Sequence, residues 1–214
     1  MQKIIDTIKE HKVIAICRGV SRENLISAAE ALYEGGIRLM EVTYSANGAV
    51  TDEDTAENIR ILAEYFGEKM FIGAGTVLTE RQVVLTKEAG GRFIISPNTD
   101  VDVIRKTKEL GLVSIPGSLT PTEAVVAHKA GADFVKLFPA GTFGPSYVKA
   151  VKAPLSHVDV LAVGGIDENN AAAFLAAGAC GVGVGGNLVN NSWIKVGEFE
   201  KVKEVATKMV AAVK

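Results

Sequence analysis

Thr122-Glu123-Ala124-Val125-Val126-Ala127-His128-Lys129-Ala130-Gly131-Ala132-Asp133-Phe134-Val135-Lys136-Leu137-Phe138-Pro139 holds the repeating unit of this chain: a helical pattern, a glycine stop and a short apolar run. Thr122 to Ala130 carries the helical spacing, and Gly131 supplies the left-handed residue that ends a helix. The run from Phe134 to Phe138 is apolar throughout rather than alternating, apart from Lys136. Strands of that kind are buried on both faces, as a parallel sheet covered by helices requires. The same punctuation recurs at Glu34-Gly35-Gly36, Ala89-Gly90-Gly91, Leu110-Gly111 and Ala177-Gly178. Strands read near residues 13–17, 38–44, 71–76, 93–96, 112–116, 134–138, 159–163 and 181–184, eight in all. Helical patterns fill the gaps, among them Asn24 to Glu34, Asp54 to Phe66 and Phe199 to Val213, and Met1 to Asp6 opens an amphipathic N-terminal helix.

Eight strand–helix units without a Pro/Gly/Ser-rich linker predict one domain over residues 1–214, a parallel TIM (β/α)₈ barrel of the α/β class. A doubly wound open sheet is the alternative. The chain lacks the glycine-rich phosphate fingerprint that an open dinucleotide fold would carry after its first strand.

Composition narrows the partners. An apolar fraction of 48% over 214 residues supplies a sizeable core. A formal net charge of -2, with both signs interspersed, leaves no basic patch for nucleic acid and no charged tail. No stretch approaches the roughly 20 apolar residues of a membrane span. Cys17 and Cys180 stand far apart, without disulfide or metal-ligand spacing. The expectation is a cytoplasmic protein that binds a small neutral or anionic ligand and no nucleic acid, membrane or metal.

Lys136 interrupts its apolar strand, and Glu41 interrupts Leu39-Met40-Glu41-Val42-Thr43-Tyr44 in the same way. Desolvation lowers the pKa of a buried lysine, and a neutral lysine in a dry pocket attacks carbonyl carbon. A structural pair neutralising two buried charges across the barrel is the alternative reading. Barrel enzymes collect functional residues at the carboxyl ends of strands. Those ends read Arg18, Glu41, Gly75-Thr76, Ser96-Pro97, Pro116-Gly117, Lys136, Gly164-Gly165 and Gly185-Gly186. Glycine pairs after the last two strands let backbone N–H groups approach an anion, and Asp167 followed by a helix from Asn169 to Ala177 would offer a helix start beside them. Tight turns account for glycine pairs equally well, and Arg18 also fits as a cap on the barrel rim. His11, His128 and His157 read as surface residues, and Trp193 as packing.

Glu41-Val42-Thr43, Gly73-Ala74-Gly75-Thr76-Val77-Leu78, Ile95-Ser96-Pro97, Ile115-Pro116-Gly117 and Lys136-Leu137-Phe138-Pro139 together resemble the class I 2-keto-3-deoxy-6-phosphogluconate (KDPG) and 4-hydroxy-2-oxoglutarate (KHG) aldolase family. The resemblance runs in order from about Ile14 to Val189. It implies a TIM barrel, usually a homotrimer, that cleaves 2-keto-3-deoxy-6-phosphogluconate to pyruvate and glyceraldehyde 3-phosphate without a metal or other cofactor. It also implies site roles: Lys136 as Schiff-base lysine, Glu41 as acid/base through a bound water, and Thr76 and Arg18 at the pyruvyl carboxylate. Pro97 and Phe138 would wall the pyruvate pocket, and the backbone at Gly164, Gly165, Gly185 and Gly186 would hold phosphate. Three departures stand out: Ser45 replaces an arginine frequent in gluconate-type members, Ala162-Val163-Gly164-Gly165 resembles galactonate-type enzymes, and Gly186 replaces a common serine. The phosphogalactonate-derived and hydroxyglutarate-derived keto acids are therefore the alternative substrates. A sugar-phosphate epimerase or isomerase calls for paired carboxylates or metal-ligating histidines at the strand ends, which the sequence does not show. A non-catalytic binding barrel implies loss of the lysine or glutamate, and both are present.

Overall fold

Helix ends in this chain are set by chemistry visible over a few residues. Thr120 and Glu123 form a reciprocal capping box, and Pro121 occupies the first turn, so the helix following the fifth strand starts at Pro121 rather than Thr122. It stops where Gly131 takes a φ of 105°, and Gly36, Gly90, Gly111 and Gly178 hold the same left-handed conformation after their helices.

The computed structural model describes residues 1–214. Its elements run α1 (Gln2–His11), β1 (Val13–Cys17), α2 (Arg22–Glu34), β2 (Leu39–Thr43), α3 (Asp52–Phe66), β3 (Phe71–Gly75), α4 (Glu80–Glu88), β4 (Phe93–Ile95), α5 (Val101–Glu109) and β5 (Val113–Ile115). They continue with β6 (Gly117–Ser118), α6 (Pro121–Lys129), β7 (Val135–Leu137), α7 (Ala140–Lys152), β8 (Val160–Val163), α8 (Ala171–Ala176), β9 (Gly181–Val184), α9 (Asn191–Lys195) and α10 (Phe199–Ala212). All strand pairs are parallel, in the order β5-β4-β3-β2-β1-β9-β8-β7-β6. Nine segments replace the eight expected because Pro116 divides the fifth strand: β5 pairs with β4, and β6 pairs with β7. The ring closes across that break, since Phe134 N–H donates to the Ser114 carbonyl at 3.2 Å and Lys136 N–H to the Pro116 carbonyl at 2.9 Å. The result is a TIM-type barrel with an N-terminal helix, and the open-sheet alternative is excluded by closure.

Two apolar layers follow from strand alternation. One face of the strands packs on the helices in a cluster of 51 buried residues. The other face fills the barrel with Ile14, Leu39, Phe71, Phe93, Ile95, Val113, Ile115, Phe134, Leu161 and Val163, and Ile4 and Ile8 of α1 join the same cluster. Glu41 and Lys136 have the parity of this inner face, two residues beyond Leu39 and Phe134. Their side chains therefore enter the barrel above its apolar floor.

Candidate active site

Glu41 is held in the middle of β2, only 2% exposed, and the neighbouring strand is built around it. Glu41 pairs with Gly73 of β3, and a Cβ added at Gly75 would lie 2.3 Å from Glu41 Oε1. Only glycine leaves room for the carboxyl group there. Glu41 Oε2 is buried and has no hydrogen-bond partner. Burial pushes the Glu41 carboxyl from 4.5 up to about 7, against the opposing pull of Lys136 and then Arg18.

Lys136 enters from β7 and is 7% exposed. Burial depresses its pKa, Glu41 opposes the shift and Arg18 reinforces it. The pair makes no ion-pair contact, because no nitrogen–oxygen approach within 4.0 Å joins the two side chains. Both side chains line a space of about 10 Å³, with Ile16, Ile95, Ile115, Leu161 and Val163, which is the size of roughly one water molecule. The dry surroundings bias each group toward its neutral form, while the charge of each opposes the shift of the other. Lys136 Nζ also lies 4.9 Å from the centroid of the Phe138 ring.

Above this pair opens a cavity of about 510 Å³ at the carboxyl ends of the strands. Arg18, Thr76, Pro97, Lys136, Phe138, Gly164, Gly165, Gly185 and Gly186 all line it. Glu41 is reached through the narrow space beneath Lys136 and is the one expected site residue that does not line the larger cavity. Thr76 has a φ of 57°, a left-handed conformation that is strained for a β-branched residue and turns the chain sharply at the end of β3. Arg18 is exposed at the rim, where it also borders a second hollow of about 500 Å³ lined by Ser45 and Asn47. The amides of Gly165, Ile166, Gly186 and Asn187 donate to no backbone carbonyl, so two loops present unpaired N–H groups.

At the helix start after Asp167 the first amides are taken up by Asp167 itself. Asp167 Oδ1 accepts from the amides of Asn169 at 2.9 Å and Asn170 at 3.1 Å, while its carbonyl accepts from Ala171 N–H at 3.0 Å. The helix itself is shorter than expected, Ala171–Ala176, because that cap consumes its first residues. His128 and His157 are exposed, as read from sequence, with ring centroids 5.1 Å apart, and Trp193 packs against the core. Sequence reasoning missed Ile166, Asn187 and Asn191, which also line the cavity; the run Gly185-Gly186-Asn187-Leu188-Val189-Asn190-Asn191 was the available signal.

With this geometry in place, comparison with known proteins decides the family. The model of the KDPG and KHG aldolases matches residues 4–205. The chain belongs to the KDPG and KHG aldolase family. It is 36% identical over 177 residues to the 2-dehydro-3-deoxy-6-phosphogalactonate aldolase of Escherichia coli, covering 82% of this chain and 83% of that one. A solved structure described as native KDPGal superposes with a TM-score of 0.84 at 34% identity, covering 94% of this chain and 93% of the other. A KDPG aldolase from Legionella pneumophila, with pyruvate captured as a covalent carbinolamine intermediate, superposes with a TM-score of 0.84 at 26% identity, covering 96% and 97%. Membership makes the chain an aldolase, a carbon–carbon lyase of the class I kind.

Proposed function

We propose that the chain cleaves a 2-keto-3-deoxy sugar acid 6-phosphate to pyruvate and glyceraldehyde 3-phosphate through a Schiff base on Lys136. One observation carries this reading: a buried amine with a depressed pKa opens onto the 510 Å³ cavity and shares with a buried carboxyl a second space the size of about one water. Neutral Lys136 adds to the keto carbon, and loss of water gives an iminium, whose positive charge accepts the electron pair of the C3–C4 bond to form an enamine. Glu41, with its pKa raised to about 7, exchanges protons near neutral pH. It assists dehydration, takes the proton of the C4 hydroxyl and returns one to the enamine; hydrolysis then frees pyruvate. Arg18 and Thr76 hold the carboxylate so that the breaking bond stands perpendicular to the iminium plane. Pro97 and Phe138 wall the pyruvyl half, and the amides around Gly164-Gly165 and Gly185-Gly186 receive the phosphate.

Gluconate configuration at C4 is the expectation from the family resemblance. The galactonate epimer is favoured instead by the resemblance of Ala162-Val163-Gly164-Gly165, whose Val163 lines the cavity, to galactonate-type enzymes, and by the names of the relatives with 36% and 38% identity. Homotrimeric assembly rests on the same resemblance, a single catalytic domain on the strand–helix repeat without a linker, and a cytoplasmic setting on the two widely spaced cysteines; no helix is long and apolar enough to cross a membrane. Pyruvate release from both C4 epimers and from the unphosphorylated analogue tests the proposal. Phosphorylated substrates give the higher kcat/KM under this reading, and release from none of the three refutes it.

A further inference from the structure

β9 lies between β8 and β1 in the barrel wall, and the loop after it is tied to both neighbours by asparagine side chains. Asn187 Nδ2 donates to the Ile166 carbonyl at 3.1 Å, in the loop after β8. Asn191 Nδ2 donates to the Arg18 carbonyl at 2.9 Å, in the loop after β1. Both asparagines line the cavity above Lys136. The bond to Arg18 fixes the Asn191 carboxamide with its Oδ1 buried and without a hydrogen-bond partner. Buried acceptors are ordinarily paired, so the tie to Arg18 is kept while the side chain's own oxygen goes unsatisfied.

Each loop is held on its own, since Gly141 N–H donates to the Gly164 carbonyl at 2.8 Å, Asn170 Nδ2 to the Gly165 carbonyl at 2.9 Å, and the amides of Leu188 and Val189 to the Gly185 carbonyl at 2.8 Å, but none of these bonds joins the loop after β8 to the loop after β9 as Asn187 does. Gly164 and Gly165 on one side and Gly185 and Gly186 on the other carry no side chains that pack. Unpaired amides bind an anion well only when they are in place before it arrives. Gly186 also offers no hydroxyl to the ligand. We propose that Asn187 and Asn191 are positioning residues with separate duties. Asn187 fixes the spacing between the two loops that receive phosphate, and Asn191 fixes the Arg18 segment that meets the pyruvyl carboxylate. This inference rests on the substrate reading above and deepens it.

The test runs the aldol reaction in the direction of synthesis, adding pyruvate to D-glyceraldehyde 3-phosphate or to D-glyceraldehyde. Asn187→Ala lowers kcat/KM for the phosphorylated aldehyde by roughly 10–100-fold, the effect of one or two well-placed hydrogen bonds, and that for glyceraldehyde by less than about 3-fold. Asn191→Ala raises KM for pyruvate by about 10-fold, with the ratio between the two aldehydes preserved. Asn187→Ser and Asn191→Ser, which retain a donor, recover part of each loss and serve where an alanine variant fails to fold. Equal loss on both aldehydes and on pyruvate in each variant, or no loss in either, overturns the inference while leaving a working wild type and its substrate reading intact. A wild type that forms no aldol product takes down both.

Discussion

Replacing Gly75 by alanine separates the position of Glu41 from the stability of the barrel. The new methyl group would meet Glu41 Oε1 at 2.3 Å and Cδ at 2.5 Å, whereas ordinary contact begins at 3.4 Å. The carboxyl group therefore has to withdraw by about 1 Å, a misplacement that costs on the order of 100-fold in rate when it affects a reacting group. Overpacking of this size also destabilises by about 1–3 kcal/mol. Gly73→Ala provides the control, because the three atoms nearest its Cβ all belong to the Phe93 ring, the first at 2.4 Å, down in the apolar floor. Both variants are compared by urea unfolding and by pyruvate release coupled to NADH oxidation through lactate dehydrogenase. Gly75→Ala loses kcat by about 100-fold, and Gly73→Ala, at similar stability loss, keeps kcat within about 3-fold. Undiminished kcat in Gly75→Ala, or equal losses in the two variants, refutes the claim that Glu41 must sit where β3 leaves room for it.

Three further outcomes follow from the same geometry. Glu41→Gln forms the Schiff base slowly but detectably, with turnover lower by about 10²–10⁴-fold in steady-state assays; unchanged turnover removes Glu41 from the proton transfers. Glu41 binds its proton more tightly folded than unfolded, so the stability it provides is complete below about pH 4.5 and is lost as pH rises through about 7, with a ceiling of roughly 3 kcal/mol. Urea midpoints of Glu41→Gln, which does not titrate there, should accordingly gain on wild type between about pH 4.5 and 7 and hold that gain above it, and parallel pH profiles contradict the buried carboxyl. Val163→Thr shifts the ratio of kcat/KM toward the gluconate epimer by about 10-fold, and an unaltered ratio excludes this wall of the cavity from reading C4.

Glycine stops and fully apolar strands made the barrel legible because both signals act over a few residues. The division of the fifth strand at Pro116 was legible in principle, since proline has no N–H for the ladder, but the residues on either side still read as one apolar run. Glu41 and Lys136 stood out because a charge inside a buried strand has few reasons to exist. Their separation was not legible: whether a water-sized space or an ion pair joins them depends on barrel radius and on the room left at Gly73 and Gly75. Asp167 shows a different limit, since its carboxylate folds back onto the amides of Asn169 and Asn170, a choice between capping and ligand binding that the residue types leave open. Asn187 and Asn191 escaped notice because their partners are carbonyls in distant loops, and a long-range side-chain-to-backbone bond leaves no periodicity in the sequence.

Borohydride reduction in the presence of pyruvate, followed by peptide mass mapping, tests the covalent role of Lys136 most directly. Wild type should gain one reduced pyruvyl group on Lys136 and lose activity in step with labelling, while Lys136→Ala stays folded, unlabelled and inactive. A label on another lysine, or full turnover in Lys136→Ala, would contradict the account.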